Sequence, residues 1–305
     1  MTQKTQLSRR QLLAAGSASV AAAGFAGSTA SAQTERNAVA PDFKVTNKRI
    51  RQSVMGWCFK PMPVPELIGH CADIGLEAIE GISPEFYPEA IKQGLKISLV
   101  GSHPFAKGPN DPANHEMVIS TLKKSIDTAV KFKSPSVITF TGMSAKGISE
   151  ATQEENCIAC WKQVLDYAEE KEITLVLEHL NSRDDSHPMK GHPGYFGDDV
   201  ERCIDLVKRM DSPRFKLLFD VYHVQIMNGD VIRRIQTYKD YIGHYHTAGN
   251  PGRRELDEAQ EINYPAVMKA ILATGYDLYV AQEFIPTWDD PVHALRHSAS
   301  VCDVS

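Results

Sequence analysis

The stretch Thr174-Leu175-Val176-Leu177-Glu178 decides the fold, because it is an apolar, strand-like run that ends on a carboxylate. The same pattern recurs in three later runs, which end on Asp220, His246 and Glu283. The four end residues are separated by 42, 26 and 37 positions, and each gap is roughly the length of one strand-plus-helix unit. The repetition therefore predicts neighbouring parallel strands whose carboxyl ends meet at one edge.

Segments on both sides of this stretch extend the pattern to eight strand-like runs that alternate with eight helix-like runs. Such alternation predicts a parallel sheet covered by helices, and the apolar runs suit strands that are buried on both faces. A doubly wound open sheet is the competing fold, but no glycine-rich phosphate loop follows the first strand. We therefore predict a single closed (β/α)8 barrel, a TIM barrel, over residues 48–305.

The N-terminus has the pattern of an export signal over residues 1–32. Lys4, Arg9 and Arg10 precede an apolar run without charges, and Ala30-Ser31-Ala32 fits a signal-peptidase site. The order Ser8-Arg9-Arg10-Gln11-Leu12-Leu13 resembles a twin-arginine signal, which predicts an exported, periplasmic protein. Residues 33–47 are predicted to be a linker or an N-terminal arm.

The charge balance excludes one class of partner. The net charge is −5, and loss of the three basic residues of the signal would make it −8. Nucleic-acid binding needs clustered Lys and Arg, so a small-molecule substrate is the expected partner. We expect no membrane span in the mature chain, and a homo-oligomer remains possible.

Six cysteines are present, and Cys157 and Cys160 have C-x-x-C spacing. The pair lies in a stretch with the periodicity of an amphipathic helix, and the sequence has no second such pair. We therefore predict that both thiols pack in the core. A disulfide is the alternative in an oxidising compartment.

The four strand ends predict a metal site. Parallel strands lie about 4.8 Å apart, and catalytic groups of such barrels project from the carboxyl ends of the strands. Three buried carboxylates in one place would repel each other unless a cation joined them. Oxygen-rich ligands favour Mn²⁺, Mg²⁺ or Co²⁺, and Zn²⁺ is also compatible. Each acid could alternatively be the N-cap of the helix that follows.

Other histidines lie near these ends. His244 precedes His246 by two residues, and we expect it to be structural. The stretch 182–197 is rich in turn residues and is predicted to be a mouth loop or lid. Because His187 and His192 lie in this loop, we expect them to be exposed rather than to be ligands. His223 and Arg253 are also placed on loops, where substrate oxygens could reach them.

Several ordered motifs carry a resemblance to a known family. They are Leu177-Glu-His-Leu-Asn181, Phe219-Asp-Val-Tyr-His-Val-Gln225, Ile242-Gly-His-Tyr-His-Thr-Ala-Gly-Asn-Pro-Gly-Arg253, Glu261-Ile-Asn-Tyr-Pro265 and Gln282-Glu-Phe-Ile-Pro286. Together they resemble the hydroxypyruvate isomerase branch of the xylose isomerase-like TIM barrels. At position 246 this chain resembles the related ketose 3-epimerases, which have His, whereas hydroxypyruvate isomerases often have Gln there.

The resemblance implies specific roles for these residues. It implies one divalent ion held by Glu178, Asp220, His246 and Glu283, with Glu178 and Glu283 as the acid/base pair. It also implies four substrate-binding residues, Asn181, His223, Arg253 and Glu261. Of these, Glu261 would anchor the mouth of the barrel.

The expected function is metal-dependent interconversion of an α-hydroxy ketone and an aldehyde through an enediolate, of the hydroxypyruvate/tartronate semialdehyde type. An epimerase or isomerase of ketoses or 3-keto-sugars is the first alternative. A non-catalytic periplasmic sugar-binding barrel and an exported metal hydrolase are further alternatives. The absence of a G-x-S-x-G motif argues against a serine nucleophile.

Overall fold

Eight parallel strands form the wall of a barrel in the computed structural model, which describes residues 38–305. The predicted export signal lies outside the described residues. The strands are β1 Arg51–Val54, β2 Ala78–Ile79, β3 Lys96–Ile97, β4 Ser136–Phe140, β5 Thr174–Glu178, β6 Phe215–Asp220, β7 Ile242–Thr247 and β8 Tyr279–Gln282.

Hydrogen bonds between neighbouring strands close the ring. Six strands form one sheet in the order β1-β8-β7-β6-β5-β4, and β2 pairs with β3. Parallel bridges join Met55 to Glu80 and Val100 to Val137, so β2 is linked to β1 and β3 is linked to β4. The predicted closed barrel is therefore confirmed.

Nine α-helices are found among residues 38–305, and they follow or separate the strands. They are α1 Val64–Ile74, α2 Tyr87–Lys92, α3 His115–Phe132, α4 Glu150–Glu170, α5 Val200–Met210, α6 Val221–Met227, α7 Val231–Tyr238, α8 Tyr264–Ala273 and α9 Pro291–Cys302. No helix in this part of the chain is long and apolar enough to cross a membrane.

Two details differ from the sequence-based expectation. Helix α6 follows β6 directly and was not predicted, since eight helices account for the alternation without it. Helix α4 begins at Glu150, whereas the capping-box spacing of Thr152 and Glu155 predicts a start at Thr152; the Ser149 side chain accepts a hydrogen bond from the Thr152 backbone N–H at 3.2 Å. Ser149, not Thr152, is therefore the N-cap.

The core lies between the barrel wall and the helices. Trp161 of α4 packs on Phe215 of β6 with ring centroids 4.9 Å apart, and both side chains are fully buried. Cys157 and Cys160 are free thiols on the buried face of α4. The prediction of core packing is confirmed for both cysteines.

The described part of the N-terminal arm, residues 38–47, is tied to the barrel. The Val45 backbone N–H donates to the Ile74 carbonyl at 2.9 Å, and Arg296 Nη1 donates to the Phe43 carbonyl at 2.6 Å. Asp303 accepts from the backbone N–H groups of Thr46 and Asn47. These contacts attach the arm to the ends of α1 and α9, away from the carboxyl ends of the strands.

Candidate active site

The four residues that end β5, β6, β7 and β8 converge at the carboxyl edge of the barrel. One ligand atom from each of Glu178, Asp220, His246 and Glu283 lies within 4.8 Å of all the others, and all four side chains are buried. His246 Nδ1 is 3.2 Å from Glu178 Oε1 and 2.7 Å from Glu283 Oε2. The structure thus brings together the set that the strand-end pattern predicts.

Asp220 serves the site and the fold at once. Its Oδ1 atom accepts hydrogen bonds from the backbone N–H groups of Tyr222 and His223, at 2.8 and 3.3 Å, and so caps α6. Its Oδ2 atom is buried and has no hydrogen-bond partner among the described residues. The helix cap and the metal ligand, posed as alternatives from the sequence, are therefore compatible in one carboxylate.

The carboxylates of the cluster affect one another strongly. Burial and the negative charge of Glu283 raise the pKa of Asp220 to about 7, and the same two causes raise the pKa of Glu178. Burial opposes ionisation of Glu283 as well, but the charges of Arg253 and His246 outweigh it and lower the pKa of Glu283 to about 2. The protein's own cations thus compensate Glu283 better than the other two acids.

A divalent cation fits this donor set. Three carboxylates and one imidazole are ligands that Mn²⁺, Mg²⁺, Co²⁺ and Zn²⁺ accept in proteins. The orphaned Asp220 Oδ2 lies among them, and a buried polar atom without a partner calls for an explanation. A cation would satisfy this oxygen and relieve the mutual repulsion of the three acids.

Arg253 lies beside the cluster in the loop after β7. Its Nη2 atom is 2.7 Å from Glu283 Oε2 and 3.7 Å from Asp220 Oδ2, and its guanidinium lies over the rings of Trp57 and Tyr222. Its Nη1 atom donates to the Met189 carbonyl at 2.7 Å. Arg253 therefore links the loop between β5 and α5 to the carboxylate cluster.

His223 offers a neutral hydrogen-bond donor at the same place. The Asn181 backbone N–H donates to His223 Nδ1 at 3.0 Å, which assigns the ring proton to Nε2. Nε2 is buried, has no hydrogen-bond partner in the described chain, and lies 3.5 Å from Asp220 Oδ2. Burial and the charge of Arg253 lower the pKa of His223 well below its ordinary value, so the ring stays neutral.

Asn181 and Glu261 hold loops in this structure. Asn181 Nδ2 donates to the Lys190 carbonyl at 2.7 Å, which pins the loop between β5 and α5. Glu261 is exposed, and its Oε1 atom accepts from Gln225 Nε2 and Asn250 Nδ2, at 3.2 and 2.5 Å. Glu261 does not line the cavity, and its contacts fit the expected anchoring of the mouth rather than direct contact with a substrate.

A cavity of about 300 Å³ opens above the cluster, and Glu178, Arg253 and Glu283 line its floor. Its walls are mostly apolar: Met55, Trp57, Leu99, Phe105, Ile138 and Phe140. The polar atoms of the wall are largely engaged by the scaffold. His103 Nε2, for example, is 2.9 Å from Thr139 Oγ1.

His192 corrects one expectation about the mouth loop. His187 is exposed as expected, but the His192 side chain is only 8% exposed and lines the cavity, with its ring centroid 4.3 Å from that of Phe105. The loop packs tightly just before His192. Gly191 passes so close to the backbone of Asp184 that an added Cβ would lie 2.2 Å from the Asp184 carbonyl oxygen. His192 is thus part of the cavity wall.

Glu80 was not identified from the sequence. It follows the two-residue strand β2, is fully buried, and its Oε1 atom lies 2.8 Å from His246 Nε2. Its Oε2 atom is 3.0 Å from Nε2 of His244, the histidine expected to be structural. The signal was the same as for the four ligands, an apolar run ending on an acid, but Ala78-Ile79 is too short a run to stand out.

Comparisons with known proteins agree with this geometry. The family model for the xylose isomerase-like TIM barrel matches residues 68–302. The 2-oxo-tetronate isomerase of Pectobacterium atrosepticum is 25% identical over 264 residues, which cover 78% of this chain and 96% of that protein. A human protein provisionally named hydroxypyruvate isomerase is 23% identical over 257 residues, 77% of this chain and 89% of that protein.

Solved structures show the same fold. The crystal structure of 3-keto-D-glucoside 4-epimerase from E. coli superposes with a TM-score of 0.70 at 16% sequence identity. The match covers 82% of this chain and 98% of the epimerase. At this identity the likeness concerns the barrel alone.

Proposed function

Because this chain belongs to the xylose isomerase-like TIM-barrel family, we propose that it is a divalent-metal-dependent isomerase of a small α-hydroxy carbonyl compound. The reaction interconverts an α-hydroxy ketone and an aldehyde, of the type that links hydroxypyruvate and tartronate semialdehyde. One observation carries the proposal: Glu178 and Glu283 line the same cavity and both lie within 3.2 Å of His246 Nδ1. Names of relatives that are isomerases support it.

The two glutamates are suited to move protons in opposite senses. For hydroxypyruvate, one carboxylate removes a proton from C3 and the other carboxyl delivers one to C2, while a proton passes from O3 to O2. Without a bound cation, their surroundings push their pKa values apart, upward for Glu178 and downward for Glu283, so the two carboxylates are not equivalent. When bound, a divalent cation supplies Lewis-acid polarisation of the substrate oxygens.

Neighbouring residues are placed to bind the substrate. The neutral Nε2–H of His223 can donate a hydrogen bond to a substrate oxygen near Asp220. Arg253, which is fully charged and buried at the cavity floor, can compensate a substrate carboxylate. The charge of Arg253 favours a hydroxy-keto acid over a neutral sugar.

Proton exchange with solvent tests the proposal directly. We expect the Mn²⁺- or Mg²⁺-loaded protein, incubated in D₂O with short hydroxy-keto acids and free ketoses, to replace a substrate C–H by C–D. The measurement is the loss of the corresponding ¹H NMR signal, with a chelator-treated sample as the control. Absence of exchange with every compound would instead support a sugar-binding barrel without turnover.

An Arg253→Ala variant in the same panel separates acid from neutral substrates. Loss of the guanidinium should raise KM much more for a carboxylate-bearing substrate than for a ketose. An equal effect on both classes would contradict the assignment of Arg253 to a substrate carboxylate.

The size of the cavity favours one second candidate. About 300 Å³ is more room than a three-carbon acid needs, since it reaches the range of pockets for drug-sized ligands. An epimerase or isomerase of a longer ketose or a 3-keto-sugar would use the same two glutamates. In the exchange panel this activity would be recognised by faster exchange of the longer compound and by inversion at the exchanging carbon.

We also infer that the protein is exported through the twin-arginine route. The support is the pattern of residues 1–32, with Arg9 and Arg10 before an uncharged apolar run. Replacing both arginines with lysine should leave the precursor in the cytoplasm, as measured by fractionation of cells that express the full chain. Unchanged export of the lysine variant would contradict this route.

A further inference from the structure

We propose that Glu80 is a positioning residue that holds the His246 imidazole with Nδ1 toward the carboxylate cluster and thereby strengthens binding of the divalent ion. The inference rests on the proposed function in one respect, because it assumes that the cluster binds a metal. It adds a residue from a part of the barrel, β2, that supplies none of the four ligands.

The backbone of Glu80 is fixed on both sides. Its N–H donates to the Val54 carbonyl at 2.9 Å, and its carbonyl accepts from the Gly56 N–H at 2.8 Å. These bonds join the end of β2 to β1, so Glu80 is part of the closed wall. Its side chain is completely buried and reaches His246 across the barrel interior.

Both carboxylate oxygens of Glu80 are supplied with donors. Oε1 is 2.8 Å from His246 Nε2, and Oε2 accepts from Ser98 Oγ at 2.5 Å. Ser98 Oγ is in turn 2.6 Å from Ser53 Oγ, and all of these groups are buried. A buried carboxylate with this many donors is stabilised in its charged form.

The contact with Glu80 determines which nitrogen of His246 can bind a cation. A charged carboxylate only accepts hydrogen bonds, so His246 Nε2 must carry a proton. The other nitrogen, Nδ1, then faces Glu178 Oε1 and Glu283 Oε2 at 3.2 and 2.7 Å. A cation bound among these atoms would use the Nδ1 lone pair, which the Glu80 contact orients and makes more basic.

A second cation between Glu80, His244 and His246 is a less suitable interpretation, although their ligand atoms also lie within 4.8 Å of one another. Glu80 Oε1 already accepts from His246, and Oε2 accepts from Ser98 and lies 3.0 Å from His244 Nε2. A cation there would have to replace the proton that His246 presents to Glu80. The geometry therefore favours a support for one ion over a ligand of another.

Metal titration tests the inference without a substrate. Gln at position 80 keeps the shape of the side chain and an oxygen acceptor but removes the charge. We expect Glu80→Gln to weaken Mn²⁺ binding about 10–100-fold, the usual effect of losing such a contact, in calorimetry or in competition with a fluorescent chelator. At saturating Mn²⁺ the kcat of the variant should return toward that of the unmodified protein.

Glu77→Gln is the matched control, because it makes the same change just before β2. Glu77 pairs with Arg51 at 3.0 Å on the partly exposed side of the barrel and has no contact with the cluster. Its Mn²⁺ affinity should be unchanged. Equal affinity of Glu80→Gln and the unmodified protein would overturn the inference, whereas no Mn²⁺ binding by the unmodified protein would overturn the proposed metal site itself.

Two further readouts keep the test decisive. Two ions per unmodified chain, with one lost in Glu80→Gln, would make Glu80 a ligand and overturn the positioning role. Should Glu80→Gln fail to fold, ¹⁵N NMR of histidine-labelled, Mg²⁺-loaded unmodified protein still reports the ring state. We expect a protonated Nε2 on His246, and an unprotonated Nε2 would contradict the inference.

Discussion

Glu178→Gln and Glu283→Gln are each expected to lower kcat by about 10²–10⁴-fold, the usual contribution of a positioned proton-transfer group. Both side chains line the cavity, whereas Asp220 and His246 do not. Glutamine preserves the shape of the side chain and one oxygen for a metal, but it cannot take up or release the substrate proton. The measurement is kcat at saturating Mn²⁺ on the substrate found in the exchange panel.

The two variants should differ in how exchange and product formation are coupled. The variant that lacks the proton-removing group loses C–H exchange and product together. The variant that lacks the proton-delivering group retains exchange at the original carbon but forms product slowly. With the reaction run from the product side, the two behaviours should change places.

Asp220→Asn is the matched control for this pair. It makes the same carboxylate-to-amide change within the predicted ligand set, but at a residue that does not line the cavity. It should weaken Mn²⁺ binding and, once Mn²⁺ is saturating, reduce kcat less than either glutamate variant. If all three variants lost kcat equally, proton transfer could not be assigned to the glutamates.

The barrel and its four strand ends could be predicted because the signal is local and repeated. Thr174–Glu178 and Phe215–Asp220 have the bounds expected from their apolar runs. A strand buried on both faces is a continuous apolar run, and four such runs ending on polar residues at similar spacing leave few other arrangements. The repetition decided the fold where no single run could.

Helix α6 shows where local reasoning was incomplete. From the sequence, Asp220 is either a metal ligand or a helix cap. Treating it as a metal ligand left the residues after it without a predicted helix. A carboxylate has two oxygens, and here Oδ1 caps the helix while Oδ2 faces the cluster. The helix in turn carries His223 into the site on its first turn.

The buried contacts of Glu80 and His192 could not be predicted from the sequence, because they depend on distant partners. Glu80 meets His246 across 166 positions, and His192 reaches Phe105 from another loop. Glu261 gives the opposite case: its motif is part of the family resemblance, but its side chain turns to Gln225 and Asn250 instead of the cavity. Such contacts follow from the closure of the barrel rather than from neighbouring residues.

Without divalent ions, Asp220 should destabilise the folded protein increasingly as the pH rises from about 4 to about 7. Burial and the charge of Glu283 raise the pKa of Asp220 to about 7, compared with about 3.9 for an ordinary aspartate. Between these values the folded protein holds a proton on Asp220 that the unfolded chain has released, so the contribution of Asp220 to the free energy of unfolding falls as the pH increases. One proton contributes at most about 1.4 kcal/mol per pH unit.

Other buried groups titrate in the same window. Burial lowers the pKa values of His103, His179 and His192 to about 4, so these histidines add stability as the pH rises and act against Asp220. The contribution of Asp220 is therefore read from the difference between the unmodified protein and Asp220→Asn.

The pKa of Glu178 is also raised, so it acts in the same direction as Asp220. The pKa of Glu283 is lowered to about 2, and the stability that it contributes is lost only as the pH falls below its unfolded value. Asp220→Asn removes the Asp220 contribution but keeps the Oδ1 cap of α6, so its stability relative to the unmodified protein should increase with pH across this window.

Addition of Mn²⁺ or Mg²⁺ should remove the destabilising contribution of Asp220, because metal binding requires deprotonated ligands and its affinity increases with pH. At 100 times its Kd, a cation that binds only the folded state stabilises it by about 2.7 kcal/mol. Urea denaturation of both proteins between pH 4 and pH 8, with a chelator and with the cation, gives the four stability curves needed. The same pH dependence for Asp220→Asn and the unmodified protein in chelator would show that Asp220 is not the group under electrostatic strain. A cation effect that did not increase with pH would argue that the buried carboxylates are not its ligands.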